Sequence, residues 1–159
     1  MLVNGIYRDY IIHDDENIKG FFGEYRWLSN FHECPILWQG FGFTSTEAAY
    51  QASKTTSKSI AKDFQNYNPS QSKQHGKLIN VRKDWPNIKF DIMAQIVLQK
   101  FLIHADLREK LLETGNKYIE ETNHWNDIYW GVCNGVGENK LGKVLMATRA
   151  YLQNLENTK

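Results

Sequence analysis

From Tyr10 to Phe43 the apolar residues come in short clusters parted by Gly, Asn and acidic residues: Tyr10-Ile11-Ile12, Gly20-Phe21-Phe22, Pro35-Ile36-Leu37-Trp38 and Phe41-Gly42-Phe43. Runs this short, bounded by turn formers, predict strands and loops. From Ser45 onward the period changes. Ser45 ahead of Thr46-Glu47-Ala48-Ala49 reads as an N-cap with an acid in the first turn, and the Ala-rich stretch predicts a helix to Lys54. Asn68-Pro69 predicts a second helix running to about Ile79, with Gly76 as its weak point. Beyond Asp84-Trp85-Pro86, the residues Ile88, Ile92, Met93, Ile96, Val97 and Phe101 recur at three- and four-residue steps and mark a core helix. Leu107, Leu111 and Leu112 mark another, with Gly115 as its C-cap. The last follows from Leu141, Val144, Leu145, Tyr151, Leu152 and Leu155, entered through Gly137-Glu138-Asn139. The fold class predicted is mainly α with a small β component, without the βαβ alternation of a parallel sheet.

A chain of 159 residues without repeats or low-complexity linkers predicts a single domain over 1–159. Lys plus Arg number 19 against 18 Asp plus Glu, so a strong polyelectrolyte field is excluded and any nucleic-acid contact has to be local. Apolar runs such as Ile96-Val97-Leu98 are far too short for a membrane span, and the opening Met1-Leu2-Val3-Asn4-Gly5 lacks the basic and apolar regions of a signal peptide. The expectation is a cytoplasmic protein with no membrane partner. Cys34 and Cys133, separated by most of the chain, read as free thiols, and the five histidines lack paired ligand spacing, so no metal site is expected.

Two groups of residues can carry chemistry. Glu47, Gln51 and Lys54 stand at i, i+4 and i+7 and project from one helix face. They are either an exposed polar stripe or a convergent carboxylate, amide and amine. Ala48, Ala49 and Ala52 on the opposite face are small and permit close packing near the domain centre. The second group is the stretch Glu121-Thr122-Asn123-His124-Trp125-Asn126-Asp127-Ile128-Tyr129-Trp130-Gly131, followed by Gly135-Val136-Gly137 and Asn139. It is either a loop pinned by two buried indoles or one whose glycines admit a ligand while Trp offers a stacking face. Arg82-Lys83 ahead of Asp84 is a phosphate contact or a solvated pair at a helix entrance.

Leu28-Ser29-Asn30-Phe31, Ser45-Thr46-Glu47 with Gln51 and Lys54, Arg82-Lys83-Asp84-Trp85, Met93 with Lys100-Phe101, Thr114-Gly115, Glu121 to Asp127 running into Trp130-Gly131, and Asn139-Lys140-Leu141-Gly142 with Leu145-Met146 and Arg149 follow one another in order. Together they resemble the NADAR family, also called YbiA-like, over about residues 20–150. The resemblance implies a compact, mainly helical domain and an N-glycosidase that releases a sugar from an exocyclic amine. It implies one of two substrate classes: ADP-ribose attached to guanine in nucleic acid, taken as the lead, or the phosphoribosylamino intermediates of early riboflavin synthesis. A domain that binds ADP-ribose or NAD derivatives without turnover is the alternative from another class.

Cleaving a ribosyl C1–N bond builds positive charge on the sugar and negative charge on the nitrogen, which calls for an acid near the nitrogen and anionic groups near C1. Glu47 is assigned as acid and base, Asp127 as holding ribose hydroxyls or steadying charge at C1, and Lys54 as an amine able to form a Schiff base with a ring-opened sugar, with direct attack of water on C1 as the other route that these groups serve. Substrate contacts are assigned to Ser29, Asn30, Phe31, Gln51, Arg82, Trp125, Trp130, Gly131 and Asn139. No cofactor is required. The expected partner is an ADP-ribose-bearing substrate, including ADP-ribosylated DNA held through local contacts.

Overall fold

The computed structural model describes residues 11–159 together with the backbone of Leu2–Val3 and Ile6–Tyr7. Tyr10, counted above in the first apolar cluster, and Met1, Asn4 and Gly5 lie outside the described residues. In chain order the strands are β1 Leu2–Val3, β2 Ile6–Tyr7, β3 Ile12–His13, β4 Asn17–Lys19, β5 Glu33–Trp38, β6 Phe41–Ser45, β7 Tyr118–Glu120, β8 Thr122–Asn123 and β9 Val132–Cys133. The helices are α1 Thr46–Ala52, α2 Lys58–Asp63, α3 Pro69–Gly76, α4 Trp85–Ile103, α5 Ala105–Glu113 and α6 Lys140–Asn157. The Gly20-Phe21-Phe22 cluster lies in a loop rather than a strand, and a 3-10 helix at Gly23–Leu28 follows it. Helix predominates and the strands are short, as the pattern predicts. None of the described helices is long and apolar enough to cross a membrane.

The chain forms two compact units, one of Ser29–Ala105 and the other of Met1–Leu28 with Asp106–Lys159. In the first, β5 and β6 make an antiparallel hairpin closed by Gln39-Gly40, both at positive φ, which is the mirror-image turn that matches strand twist. The hairpin, α3 and α4 all pack on α1. Ser45 caps α1 by accepting from the Ala48 amide at 3.1 Å, and every residue of this helix is buried. Asn68 and Gln71 form a reciprocal capping box at the start of α3, with Pro69 at its first position. The α3 helix stops at Gly76, earlier than the sequence suggested. In α4 the predicted stripe is buried at Ile92, Met93, Ile96, Val97 and Phe101 and half-buried at Ile88, with Trp85 and Lys100 buried alongside it, while Phe90, Leu102 and Ile103 are exposed.

In the second unit, β3 pairs antiparallel with β4 and β4 pairs parallel with β7, and β8 pairs parallel with β9. Parallel pairing therefore exists, but between distant strands or without an intervening helix, so the βαβ alternation is absent as the sequence pattern indicates. The pairing of Asn17 with Tyr118 spans most of the chain, so no local alternation announces it. Helix α5 ends before Gly115, whose φ of 62° suits the left-handed position after a helix. Helix α6 packs on β7 and buries Leu141, Val144, Leu145 and Leu152. Both cysteines are buried and neither is in a disulfide, Cys34 lying in the first unit and Cys133 in the second.

Candidate functional site

The buried start of α1 carries the carboxylate. Glu47 is 8% exposed, and its backbone amide donates to the Asn30 carbonyl at 3.1 Å, which satisfies one of the first-turn donors of the helix. One turn on, Gln51 Nε2 donates to Glu47 Oε1 at 2.8 Å. The stripe is thus buried, and the convergent reading of the sequence holds for this pair.

Gln51 is fixed by close packing. A Cβ built on Gly76 would collide with Gln51 Oε1 and its carbonyl carbon, so only glycine lets α3 approach α1 this closely without moving that side chain. The predicted weak point of α3 is the place where it meets the functional face. Gln51 Oε1 is buried without a hydrogen-bond partner, while its amide nitrogen serves the carboxylate.

Lys54 follows α1, partly buried, with its ammonium 5.8 Å from the Tyr50 ring centroid. Burial lowers its proton affinity from the ordinary lysine value, the negative charge of Glu47 opposes that shift, and the charges of Lys89, Lys73 and Lys77 reinforce it. An amine in such surroundings is closer to its nucleophilic neutral form than a lysine in water.

The turn that precedes the hairpin presents Ser29, Asn30 and Phe31 beside this helix. Ser29 Oγ accepts from the Phe31 amide at 3.0 Å, and Asn30 Nδ2 donates to Met93 Sδ at 3.4 Å. Lys100 Nζ donates to the Ser29 carbonyl at 3.2 Å. Lys100 is not among the residues that the sequence assigned to the site. The available signal was its place seven residues after Met93, a charged residue on the buried stripe. Burial pushes its pKa down to about 8, a shift that the interaction with Cys34 opposes. Arg82 belongs to the same unit. Its guanidinium is paired bidentately with Asp84 at 2.6 and 2.9 Å, and its backbone amide donates to the Lys54 carbonyl at 2.8 Å. That favours the reading of a solvated pair at a helix entrance.

The other assigned residues lie in the second unit. Asp127 Oδ1 accepts from the amides of Tyr129 and Trp130 at 3.2 and 2.9 Å, which folds its own loop. Asn123 organises the same loop, donating to the Asp127 carbonyl at 2.8 Å and to Glu121 Oε2 at 2.9 Å. Trp125 is exposed and Trp130 half-buried, so the picture of two buried indoles does not hold. A Cβ on Gly131 would overlap Glu121, so this glycine serves close packing within the protein. Asn139 is buried at a φ of 51°, and its side chain bonds the Glu121 amide, the Ile119 carbonyl and the Tyr118 hydroxyl. Those bonds engage both ends of its amide inside the fold.

Comparison with known proteins adds the family. The NADAR domain model matches residues 18–153. An N-glycosidase of Nostoc punctiforme is 47% identical over 76 residues, covering 47% of this chain and 48% of that protein. A riboflavin biosynthesis protein of Vibrio vulnificus is 35% identical over 152 residues, covering 91% of this chain and 38% of that protein. The match thus spans about half or less of those two relatives. N-glycosidase YbiA of Escherichia coli is 33% identical, with 81% of this chain and 82% of that protein covered. The solved NMR structure of E. coli YbiA superposes with a TM-score of 0.81 at 28% identity, covering 96% of this chain and 94% of that one.

Proposed function

Because the chain belongs to the NADAR family, we propose that it is an N-glycosidase cleaving the bond between a ribose C1 and an exocyclic nitrogen, with Glu47 and Lys54 acting on the reacting atoms. The observation that carries this reading is their joint placement: a carboxylate fixed by Gln51 and an amine within its electrostatic reach, both on α1 or directly after it. A module that only binds has no use for an amine whose proton affinity is lowered beside an oriented acid.

The chemistry runs in balanced steps. The nitrogen lone pair forms a C1=N bond as the bond from C1 to the ring oxygen breaks, and that oxygen takes a proton relayed by Glu47. Lys54, as the free amine, adds to C1. The exocyclic nitrogen then leaves as an amine, carrying the proton that Lys54 gives up through Glu47, and a new imine joins C1 to Lys54. Water adds to this imine and releases the sugar as an aldehyde, which closes again.

The lead substrate is ADP-ribosylated guanine, whose 2-amino nitrogen is exocyclic. The phosphoribosylamino intermediates of riboflavin synthesis present the same type of bond, and similarity to the Vibrio riboflavin biosynthesis protein over 91% of this chain supports them as the second reading. Incubation with each substrate, followed by measurement of free sugar, separates the two. Glu47→Gln is expected to lower turnover by about 10² to 10⁴ while ligand affinity persists, the usual worth of general acid and base catalysis. Activity near that of the wild type in this variant contradicts the assignment.

A further inference from the structure

The near-neutral chain is charged unevenly. Residues 29–105 hold nine Lys and Arg against five Asp and Glu, a net of +4, while the remaining residues hold ten against thirteen, a net of −3. Within residues 54–89 alone there are eight basic side chains and two acidic ones, Asp63 and Asp84, and the second of these is already paired with Arg82.

The packing gathers part of this charge at the end of α1. Gly76 lies against Gln51, which brings Lys73, one turn earlier on α3, and Lys77, its C-cap residue, to the side of the Glu47 and Gln51 face. Lys73 Nζ stands 5.9 Å from the centroid of Phe31, in the turn whose Asn30 carbonyl receives the Glu47 amide. From the other direction, Tyr50 packs on Trp85 with ring centroids 5.1 Å apart, which brings Lys89, one turn further along α4, towards Lys54 above the same Tyr50 ring.

Resting on the glycosidase reading above, we propose that Lys73, Lys77 and Lys89 form, beside Lys54, the seat of a substrate phosphate, as either a phosphomonoester or a pyrophosphate. Lys73, Lys77 and Lys89 all act on the charge of Lys54, and residues 29–105 carry an excess of positive charge. A phosphate offsets it, and lysines act on phosphate as mobile point charges that need no fixed fork. The lowered proton affinity of Lys54, to which Lys89, Lys73 and Lys77 all contribute, is consistent with their being within reach of one another. Glu47 remains the acidic member of the group and marks the end of the site that receives C1.

The test measures binding of pyrophosphate, ADP-ribose and ribose 5-phosphate to the full chain by calorimetry, with ribose and adenosine as uncharged probes. A doubly substituted protein, Lys73→Ala with Lys77→Ala, removes two exposed amines. The control, Lys58→Ala with Lys62→Ala, removes the same charge from exposed positions on α2. The first pair is expected to weaken the phosphorylated ligands by roughly tenfold or more, since each ammonium group makes charge-assisted hydrogen bonds to phosphate. The control pair is expected to change them less than about threefold, the effect of a screened distant charge. Equal losses in both pairs, or no affinity of the wild type for pyrophosphate, overturn the proposal. Turnover of the ribosylamine by the wild type is read separately. Phosphate binding without turnover removes the glycosidase reading and leaves the seat, whereas turnover indifferent to the substrate's phosphate removes the seat and leaves the glycosidase.

Discussion

Gln51 and Gly76 touch so closely that a methyl group on the glycine would occupy the place of the Gln51 side-chain carbonyl. The amide has to move to admit it, and the movement breaks its bond to Glu47 Oε1. Gly76→Ala is therefore expected to separate activity from stability. Alanine gains roughly 0.5–1 kcal/mol in a helix, and the lost bond costs about 1.5–3 kcal/mol because its acceptor is a carboxylate. Net destabilisation lies between about 0.5 and 2.5 kcal/mol by that arithmetic, while kcat falls about tenfold as Glu47 loses its fixed orientation. Unchanged kcat in a folded Gly76→Ala protein contradicts the positioning role of Gln51.

Lys100 gives a pH signature. Its folded value of about 8 lies below the ordinary 10.5 because burial disfavours the charge. The unfolded chain therefore binds more protons than the folded one between those two values, and stability rises with pH through that window. Below it the charged amine costs the fold on the order of 3 kcal/mol. In Lys100→Met this cost is absent. The difference in urea-unfolding free energy between wild type and variant, followed from pH 7 to 9.5, is expected to move in favour of the wild type. A constant difference shows that Lys100 does not titrate in the folded protein as described.

Asn139 tests the fold of the second unit. Its left-handed backbone and its three side-chain bonds make separate contributions. Asn139→Gly keeps the first and loses the second, with an expected cost of about 2–3 kcal/mol for buried groups left unpaired. Asn139→Ala loses both and is expected to fall a further 1–2 kcal/mol or so. Equal stability of the two variants, measured by thermal unfolding, contradicts the backbone part of this account.

The sequence carried the helices whose signals are local. The Ser45 and Asn68 caps, the buried stripe of α4 and the glycine after α5 all act within a few residues of the feature they set. It did not carry α2, which begins at a Ser57 cap but buries none of its residues, so no apolar period announces it. The pairing of Asn17–Lys19 with Tyr118–Glu120 was equally invisible, because it depends on residues at distant points in the chain. At the candidate site, the spacing of Glu47, Gln51 and Lys54 was readable as one helix face. The reasons for that face being buried were not, since they lie in Gly76 and in the approach of α3. Lys73, Lys77 and Lys89 carry no local signal in the sequence, because their relation to Lys54 depends on packing between separate helices.

The most direct measurement asks whether Lys54 bonds to the sugar. Borohydride added during turnover of the ADP-ribosylated guanine substrate reduces any imine to a stable amine, and mass spectrometry of the peptide containing Lys54 reads the adduct. A ribose-derived mass on Lys54, absent from Lys54→Arg, which keeps the charge and loses turnover, is the predicted result. No adduct, together with appreciable turnover in Lys54→Arg, contradicts the assignment of Lys54 as nucleophile and leaves water attacking C1 directly, with Glu47 serving the departing nitrogen.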